Sequence, residues 1–461
     1  MQGGRQVGGE VLLVSCYELG HQPLGTAWPA AFLERAGFHP AQLDLAVESL
    51  DEEAVRRARF VGISVPMHTA LRLGVRAADR IRKVNPDAFI CFYGLYATLN
   101  ASYLLDGCAD AVLGGELEQD LVSLVRQVAR GDRPSAVPEP KPVLTRLDYP
   151  VPQRVGPPGG PGYARLERDG KLVAAGYVEA TRGCLHHCLH CPIPPVYGGR
   201  FFAVPLPVVL ADIRQQVEGG AGHITFGDPD FLNGPGHALR VTRELHAASP
   251  GLTFDFTAKI EHLVRHRTLI PDFAALGCVF IVSAVESFSD VVLARLQKGH
   301  TRADIHAALR LTREAGIALR PSFVAFTPWT TLDDYLDMLD VVEEEGLVDQ
   351  VDPVQYSIRL LVPPGSALLD KPWMREHLGA LDEAALTYRW THPDLRMDRL
   401  HEQVCRLVEE GAERAEDAAA TLERIREAAE ALAERSRRRR GPTAPPGDRK
   451  RAARLTEPWF C

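Results

Sequence analysis

Residues 179–192 read EATRGCLHHCLHCP, which places Cys184, Cys188 and Cys191 within eight positions. They follow the strand-like segment VAAGYVEAT (173–181). Thiolates are soft ligands that select iron–sulfur clusters or zinc. A closed structural zinc site takes four ligands, and a simple ferredoxin cluster takes four cysteines. Three thiols with no fourth nearby leave one cluster iron open, and an open metal position is where a substrate or cofactor binds. Zinc is the competing reading, because His186, His187 or His190 of the same loop would complete a Cys₃His site.

Working downstream from this loop, strand and helix patterns alternate. The expected strands are VAAGYVEAT, HITFGD, LTFDFTA, VFIVSAVE, ALRPSFVAF and VQYSIRLLV. Between them lie helical stretches such as PLPVVLADIRQQVEGG, PGHALRVTRELHAAS, ADIHAALRLTREAG and TLDDYLDMLDVVEEEG. Six such units predict a partial (β/α)₆ barrel with its chemistry at the carboxyl ends of the strands. The candidate residues fall there: the three cysteines after the first strand, Gly227 and Asp228 after the second, Glu286 at the end of the fourth.

Upstream, EVLLVSC, FVGISV, AFICFYG and AVLGGE alternate with AWPAAFLERAG, ALRLGVRAADRIRKV and EQDLVSLVRQVARG. This pattern predicts an α/β fold with a doubly wound, Rossmann-like parallel sheet. Its ligand edge would lie near Cys16, Pro66–His68, Gly94 and Gly114–Glu116. GDRPSAVPEPKP and RVGPPGGPG mark an interdomain linker. Near the end, ERAEDAAATLERIREAAEALAERSRRRR reads as a solvated helix or helical pair, since glutamates interrupt its basic residues.

Bulk properties narrow the function classes. The chain has 461 residues, 46% hydrophobic and 24% charged, the proportions of an ordinary globular protein. A formal charge of −8 argues against general nucleic-acid binding. No apolar run is long enough to cross a bilayer, and MQGGRQVGGEVLLVSC lacks the build of a secretory signal. Nine scattered cysteines form no disulfide framework, which fits a reducing, cytoplasmic location.

The cysteine spacing and its barrel context resemble the radical S-adenosylmethionine (SAM) superfamily. That resemblance implies a [4Fe–4S] cluster on Cys184, Cys188 and Cys191, whose fourth iron chelates the amino and carboxylate groups of SAM. One electron from the reduced cluster would break the C5′–S bond of SAM, and the 5′-deoxyadenosyl radical would attack a substrate, with the cofactor carrying the hard chemistry. An electron donor such as flavodoxin or ferredoxin is implied, together with a small-molecule or peptide substrate. His190, before the third cysteine, would face adenine, while His186 and His187 shape the loop. FGDPDFLNGP resembles the superfamily's acidic segment, so Gly227 and Asp228 would receive the SAM ammonium group, with Asp230 in reserve. VSAVESFSDVVLARLQKGHT places Glu286 on the ribose hydroxyls, assisted by Ser287. Arg320 and Lys259 are candidates to neutralise the SAM carboxylate.

The N-terminal order resembles the cobalamin-binding domain that precedes many radical SAM domains, so cobalamin is admitted as a third cofactor. CYELGHQPLG departs from the Asp-x-His-x-x-Gly motif of domains that ligate cobalt, leaving His21 and His68 as the only histidines near that rim. The terminal WFC, with VDPVQYSIRLLVPPGS, resembles a radical SAM (seleno)protein group whose chains end in CUAEP or CCAEP. This implies a Cys–Sec or Cys–Cys redox pair beginning at Cys461, with the chain cut at a selenocysteine codon.

The expected plan is therefore a cobalamin-binding-like Rossmann domain over 1–135, a linker over 136–171 and a radical SAM barrel over 172–370. A helical extension over 371–440 and a flexible tail over 441–461 complete it. The function read from these features is reductive SAM cleavage by a radical SAM enzyme, cobalamin-assisted or not, methyl-transferring or hydrogen-abstracting. The rival is a non-catalytic iron–sulfur or zinc protein for electron transfer or scaffolding, which needs a fourth fixed ligand such as Cys278 or a loop histidine.

Overall fold

The structure, a computed structural model, describes residues 8–135, 141–434 and 452–457. Five strands open the chain: β1 (Gly8–Ser15), β2 (His39–Asp44), β3 (Phe60–Ser64), β4 (Phe89–Tyr93) and β5 (Ala111–Leu113). All pair in parallel, in the order β2-β1-β3-β4-β5. Every residue of β3 and β4 is buried, as expected for strands covered by helices on both faces. The strand period of two divides the apolar side chains between two cores. Leu12, Val14, Val61, Ile63, Ile90 and Phe92 pack with the helix His68–Val84. On the other face, Leu13, Phe60, Phe89 and Cys91 join a core that runs without interruption into the second domain. The N-terminal sheet is thereby fixed to the barrel through shared apolar packing.

The second sheet begins inside the stretch read as linker. β6 (Arg165–Arg168) turns through Asp169 and Gly170, both at positive φ, into β7 (Lys171–Val178). A short pair, β8 (Thr181–Gly183) and β9 (Phe201–Ala203), closes the base of the cysteine loop. β10 (His223–Phe226), β11 (Thr253–Thr257), β12 (Cys278–Glu286) and β13 (Ala318–Phe323) then extend β7 as a parallel half-barrel. The sixth expected strand does not form. Pro353–Tyr356 is a 3₁₀ turn, and this stretch pairs with the end of β13 only through the bridge Phe326–Arg359. The Gln355 side chain takes the Phe323 N–H at 3.0 Å, so a side chain completes the edge where a strand was expected.

The segment expected to be helical from 371 opens with a single helical turn, Pro372–Arg375, and then forms a hairpin, β14 (Leu378–Asp382) and β15 (Thr387–Trp390). Two helices follow, Leu395–Glu413 and Ala418–Leu432. Arg426 of the second binds Asp340 and Glu343 of the barrel helix Leu332–Glu344 at 2.7 and 3.2 Å. The described part of the expected flexible tail forms β16 (Arg454–Leu455), antiparallel to β6, with Arg454 on Glu167 at 2.9 Å. Trp459, Phe460 and Cys461 lie outside the described residues. Among the described residues no helix is long and apolar enough to cross a membrane.

Candidate active site at the domain junction

The cysteine loop leaves the barrel rim through Gly183, at φ +76°, where a Cβ would stand 2.5 Å from the Arg200 carbonyl. Only glycine fits this crossing. Beyond it, Asn233 Oδ1 accepts the Leu185 N–H at 3.2 Å, and the Leu296 carbonyl accepts the Leu189 N–H at 3.0 Å. Segments following β10 and β12 therefore hold the loop before any cofactor binds. Cys184 and Cys188 are buried, and Cys191 is partly so. Burial raises the Cys184 thiol, and it pushes Cys191 up to about 12 with help from the neighbouring Cys188 and Cys184. Such thiols ionise only when a cation supplies compensating charge. The sulfurs do not converge to within 4.8 Å as a group. Three thiolates on one zinc would lie about 3.8 Å apart, given Zn–S near 2.3 Å, whereas thiolates on separate irons of a cluster stand wider.

Glu286 ends β12 at φ +66°, a strained position for a non-glycine residue. Its Oε1 lies 3.0 Å from Lys298 Nζ and 3.2 Å from His190 Nε2. Burial would raise this carboxyl, but the Lys298 ammonium and His190 outweigh it and hold it well below the usual range. Lys298, only 2% exposed, also feels Cys188 and Cys191. Sequence reasoning missed it, since one lysine in Gln-Lys-Gly-His carries no pattern. The structure thus brings His190 and Glu286 together at the loop. Ser287 lies beside them, its Oγ accepting the Ser289 N–H at 3.1 Å in a local turn.

Asp228 faces inward. Its oxygens accept the Ala180 N–H at 2.9 Å and the Thr181 hydroxyl at 2.5 Å, and it is 2% exposed. Burial foremost raises its carboxyl to about 7. Each oxygen thus takes one hydrogen bond that fixes the start of β8. Asp230 is likewise enclosed, accepting Leu232 N–H and Lys259 N–H at 3.0 and 3.3 Å. Gly227 packs under Tyr177, where a Cβ would fall 2.2 Å from the ring. Arg320 and Lys259 are paired with Asp352 and Glu261 at 2.9 and 3.3 Å.

The loop also forms one wall of a cleft of about 280 Å³ between the two domains. Arg182, Gly183, Ile193 and Tyr197 face Ser64, Pro66, Met67, Tyr93 and Gly94 across it. These N-terminal residues stand at the carboxyl ends of β3 and β4, beside the β1/β3 switch point where doubly wound sheets bind ligands. His21 and His68 do not line the cleft. His21 stacks on Tyr177 at 4.3 Å and meets Glu457 at 3.0 Å, while His68 Nε2 lies 2.7 Å from the Ala385 carbonyl.

Comparison with known proteins agrees with this arrangement. The radical SAM superfamily family model matches residues 178–352, and the B12 binding domain model matches residues 10–124. The chain carries a radical SAM domain preceded by a B12-binding domain. A tRNA-2-methylthio-N(6)-dimethylallyladenosine synthase from Desulfosudis oleivorans is 28% identical over 61% of this chain and 59% of that enzyme. The hopanoid C-3 methylase of Methylococcus capsulatus is 25% identical over 67% and 62%. The chain spans less than two thirds of the length of these relatives. Among solved structures, TsrM from Kitasatospora setae, with cobalamin and a [4Fe–4S] cluster bound, superposes with a TM-score of 0.58 at 19% identity, covering 73% of each chain. OxsB, with aqua-cobalamin and SAM bound, superposes at 0.62 and 15% identity, covering 86% of this chain and 66% of that one. These likenesses establish the fold.

The radical SAM domain's donors fit its cluster: three loop thiols, each able to take a separate iron. Cys278 cannot serve as a fourth ligand. It begins β12, nine residues long, while Glu286 at the other end meets His190 of the loop. At about 3.3 Å per residue, the strand separates them by about 26 Å. In the B12-binding domain, Leu19, Trp28, Pro66 and Met67 offer apolar surface at the strand ends that would hold a corrin, and no histidine lines the cleft.

Proposed function

We propose that this protein is a radical SAM enzyme that cleaves SAM reductively, with cobalamin held in the interdomain cleft and a small-molecule or peptide substrate admitted to it. The observation that carries this reading is the shared wall: Arg182, Gly183 and Ile193 of the cluster loop line the cleft with the carboxyl ends of β3 and β4. A bound [4Fe–4S] cluster with one open iron supplies the electron for SAM cleavage. The chain's own residues position the parts. Cys184, Cys188 and Cys191 take one iron each. His190, fixed by Glu286, stands on the adenine side; Glu286 has Oε2 left for the ribose, with Ser287 beside it; Gly227 keeps the rim open under Tyr177. Asp228 serves by anchoring Ala180 and Thr181.

A flavodoxin or ferredoxin of a reducing cytoplasm would deliver the electron. The tRNA and hopanoid substrates of the relatives do not carry over, because neither enzyme is matched over its full length. The finer placement, in the group ending CUAEP or CCAEP, rests on VDPVQYSIRLLVPPGS and WFC. A UGA codon after Cys461 would support it, and UAA or UAG would remove it.

Anaerobic reconstitution followed by EPR of the reduced protein, with and without SAM, tests the main reading alongside assay of 5′-deoxyadenosine. The expected result is a cluster signal altered by SAM and formation of 5′-deoxyadenosine. An unaltered signal without product would reject the enzyme in favour of an electron-transfer or scaffolding module.

A further inference from the structure

Beside the three thiols lies a second set of ligand atoms. His186 sits in the loop between Cys184 and Cys188, Asp230 follows β10, and His262 lies on the helix Ile260–Arg265 after β11. Their donor atoms all fall within 4.8 Å of one another, the one such group of histidine, cysteine and carboxylate among the described residues. His262 Nδ1 approaches Asp230 Oδ2 at 2.9 Å, and His186 Nε2 approaches the same oxygen at 3.5 Å. Neither contact has the alignment of a hydrogen bond. Both nitrogens are buried without a hydrogen-bond partner, the His262 side chain is 5% exposed and that of Asp230 is not exposed at all.

Orphaned buried polar atoms are costly, and two imidazole nitrogens that converge on one buried carboxylate oxygen share an explanation. Donors about 2.1 Å from a common cation stand about 3.0–3.4 Å apart in octahedral or tetrahedral geometry. The two measured separations straddle that range. The surroundings suit a cation as well. Glu261 Oε2 faces His186 Nδ1 at 3.6 Å, the side on which a carboxylate favours the Nδ1–H tautomer and leaves Nε2 free to ligate. Leu232 N–H holds Asp230 Oδ1 at 3.0 Å, and the other oxygen, which takes only the long Lys259 N–H contact at 3.3 Å, is turned to the histidines with a lone pair to spare.

We propose that His186, Asp230 and His262 bind a mononuclear divalent transition metal of the zinc class, separate from the cluster thiols. Two imidazoles and one carboxylate suit Zn²⁺, Fe²⁺ or Co²⁺ and leave a position open to water or a substrate oxygen. Such an ion ties the cysteine loop to the ends of β10 and β11. This inference does not depend on SAM cleavage, since it concerns a site that a protein without cluster activity would also possess.

The test uses full-length, untagged protein in which Cys184, Cys188 and Cys191 are all replaced by alanine, so that neither cluster nor loop thiol competes. Equilibration with Zn²⁺ and metal analysis should find one zinc per chain. Cobalt in its place should give ligand-field absorption without sulfur charge transfer. Adding His262→Gln or Asp230→Asn should weaken zinc binding by at least about tenfold. His186→Ala, in a partly exposed loop residue, should do the same with unchanged circular dichroism. Absence of stoichiometric zinc in the protein lacking the three loop cysteines overturns the proposal, as does zinc retained at full affinity in the folded His186→Ala variant.

Discussion

Arg182 Nη1 lies 2.6 Å from Glu118 Oε1, so the residue two positions before the first cluster cysteine is held by the B12-binding domain. The guanidinium also meets Glu179 at 3.4 Å and Glu116 at 3.7 Å, and it stands over the faces of Trp28 and Tyr149 at 5.0 and 5.2 Å. Tyr149 and Tyr197 in turn donate to Glu116. The cation is therefore the centre of a buried network spanning both domains. Arg182→Met should destabilise the protein by about 3–5 kcal/mol, because it leaves buried carboxylates uncompensated. Thermal unfolding measures this, and the iron content of the reconstituted variant should fall with it.

Replacing Cys184, Cys188 or Cys191 by alanine should abolish cluster iron and 5′-deoxyadenosine formation. Cys278→Ala should leave iron and sulfide unchanged, since that thiol lies at the opposite end of β12. Full cleavage in any one loop variant would strike that residue from the ligand set.

Lys298→Met should expose the dependence of Glu286 on its partner. With Lys298 present, the folded carboxyl lies below its unfolded value, so its contribution is complete above about pH 4.5 and is lost in acid. Without the ammonium, His190 alone opposes burial and the carboxyl rises from its wild-type position, so stability falls relative to wild type as pH rises. The Tm difference between wild type and variant should widen from about pH 5 to about pH 8 and reach a loss of about 3–5 kcal/mol. Adding Glu286→Gln should recover part of it.

Asp228 has the opposite sign. Its carboxyl is raised to about 7 against a model-peptide value of 3.8, so its stabilisation is complete in acid and lost as pH rises between them. Asp228→Asn, neutral throughout, should remove that slope. Melting curves of both proteins across this interval decide the point, and parallel pH profiles would show that Asp228 is ionised when buried.

Cobalamin bound in the cleft should have no histidine on cobalt. Cob(II)alamin EPR should lack histidine nitrogen hyperfine structure, and His21→Ala and His68→Ala should leave the spectrum unchanged. A spectral change in either variant would overturn the absence of that ring from the cleft lining.

Much of the architecture was legible because it is encoded locally. Alternating buried strands and amphipathic helices identify both sheets, and the three-cysteine loop identifies one end of the second. The errors share a cause. VQYSIRLLV has the apolar content of a strand, yet Gln355 satisfies the edge of β13 with its side chain and no ladder follows. Ala452–Glu457 lacks the composition of a strand, yet it pairs with β6 nearly 290 positions earlier, Arg454 meeting Glu167.

The sequence by itself determined the three-cysteine loop, the order of the domains and the placing of Glu286 at a strand end. Spacing along the chain controls each of these. Only the tertiary structure decided that Asp228 binds Thr181, that Lys298 and His190 hold Glu286, and that Arg182 joins the domains. The same folding gathers His186, Asp230 and His262 around one point. The physical reason is that a charge has value in a protein interior only through its partners. Those partners come from segments that chain connectivity leaves far apart and that packing of the shared core brings within about 3 Å.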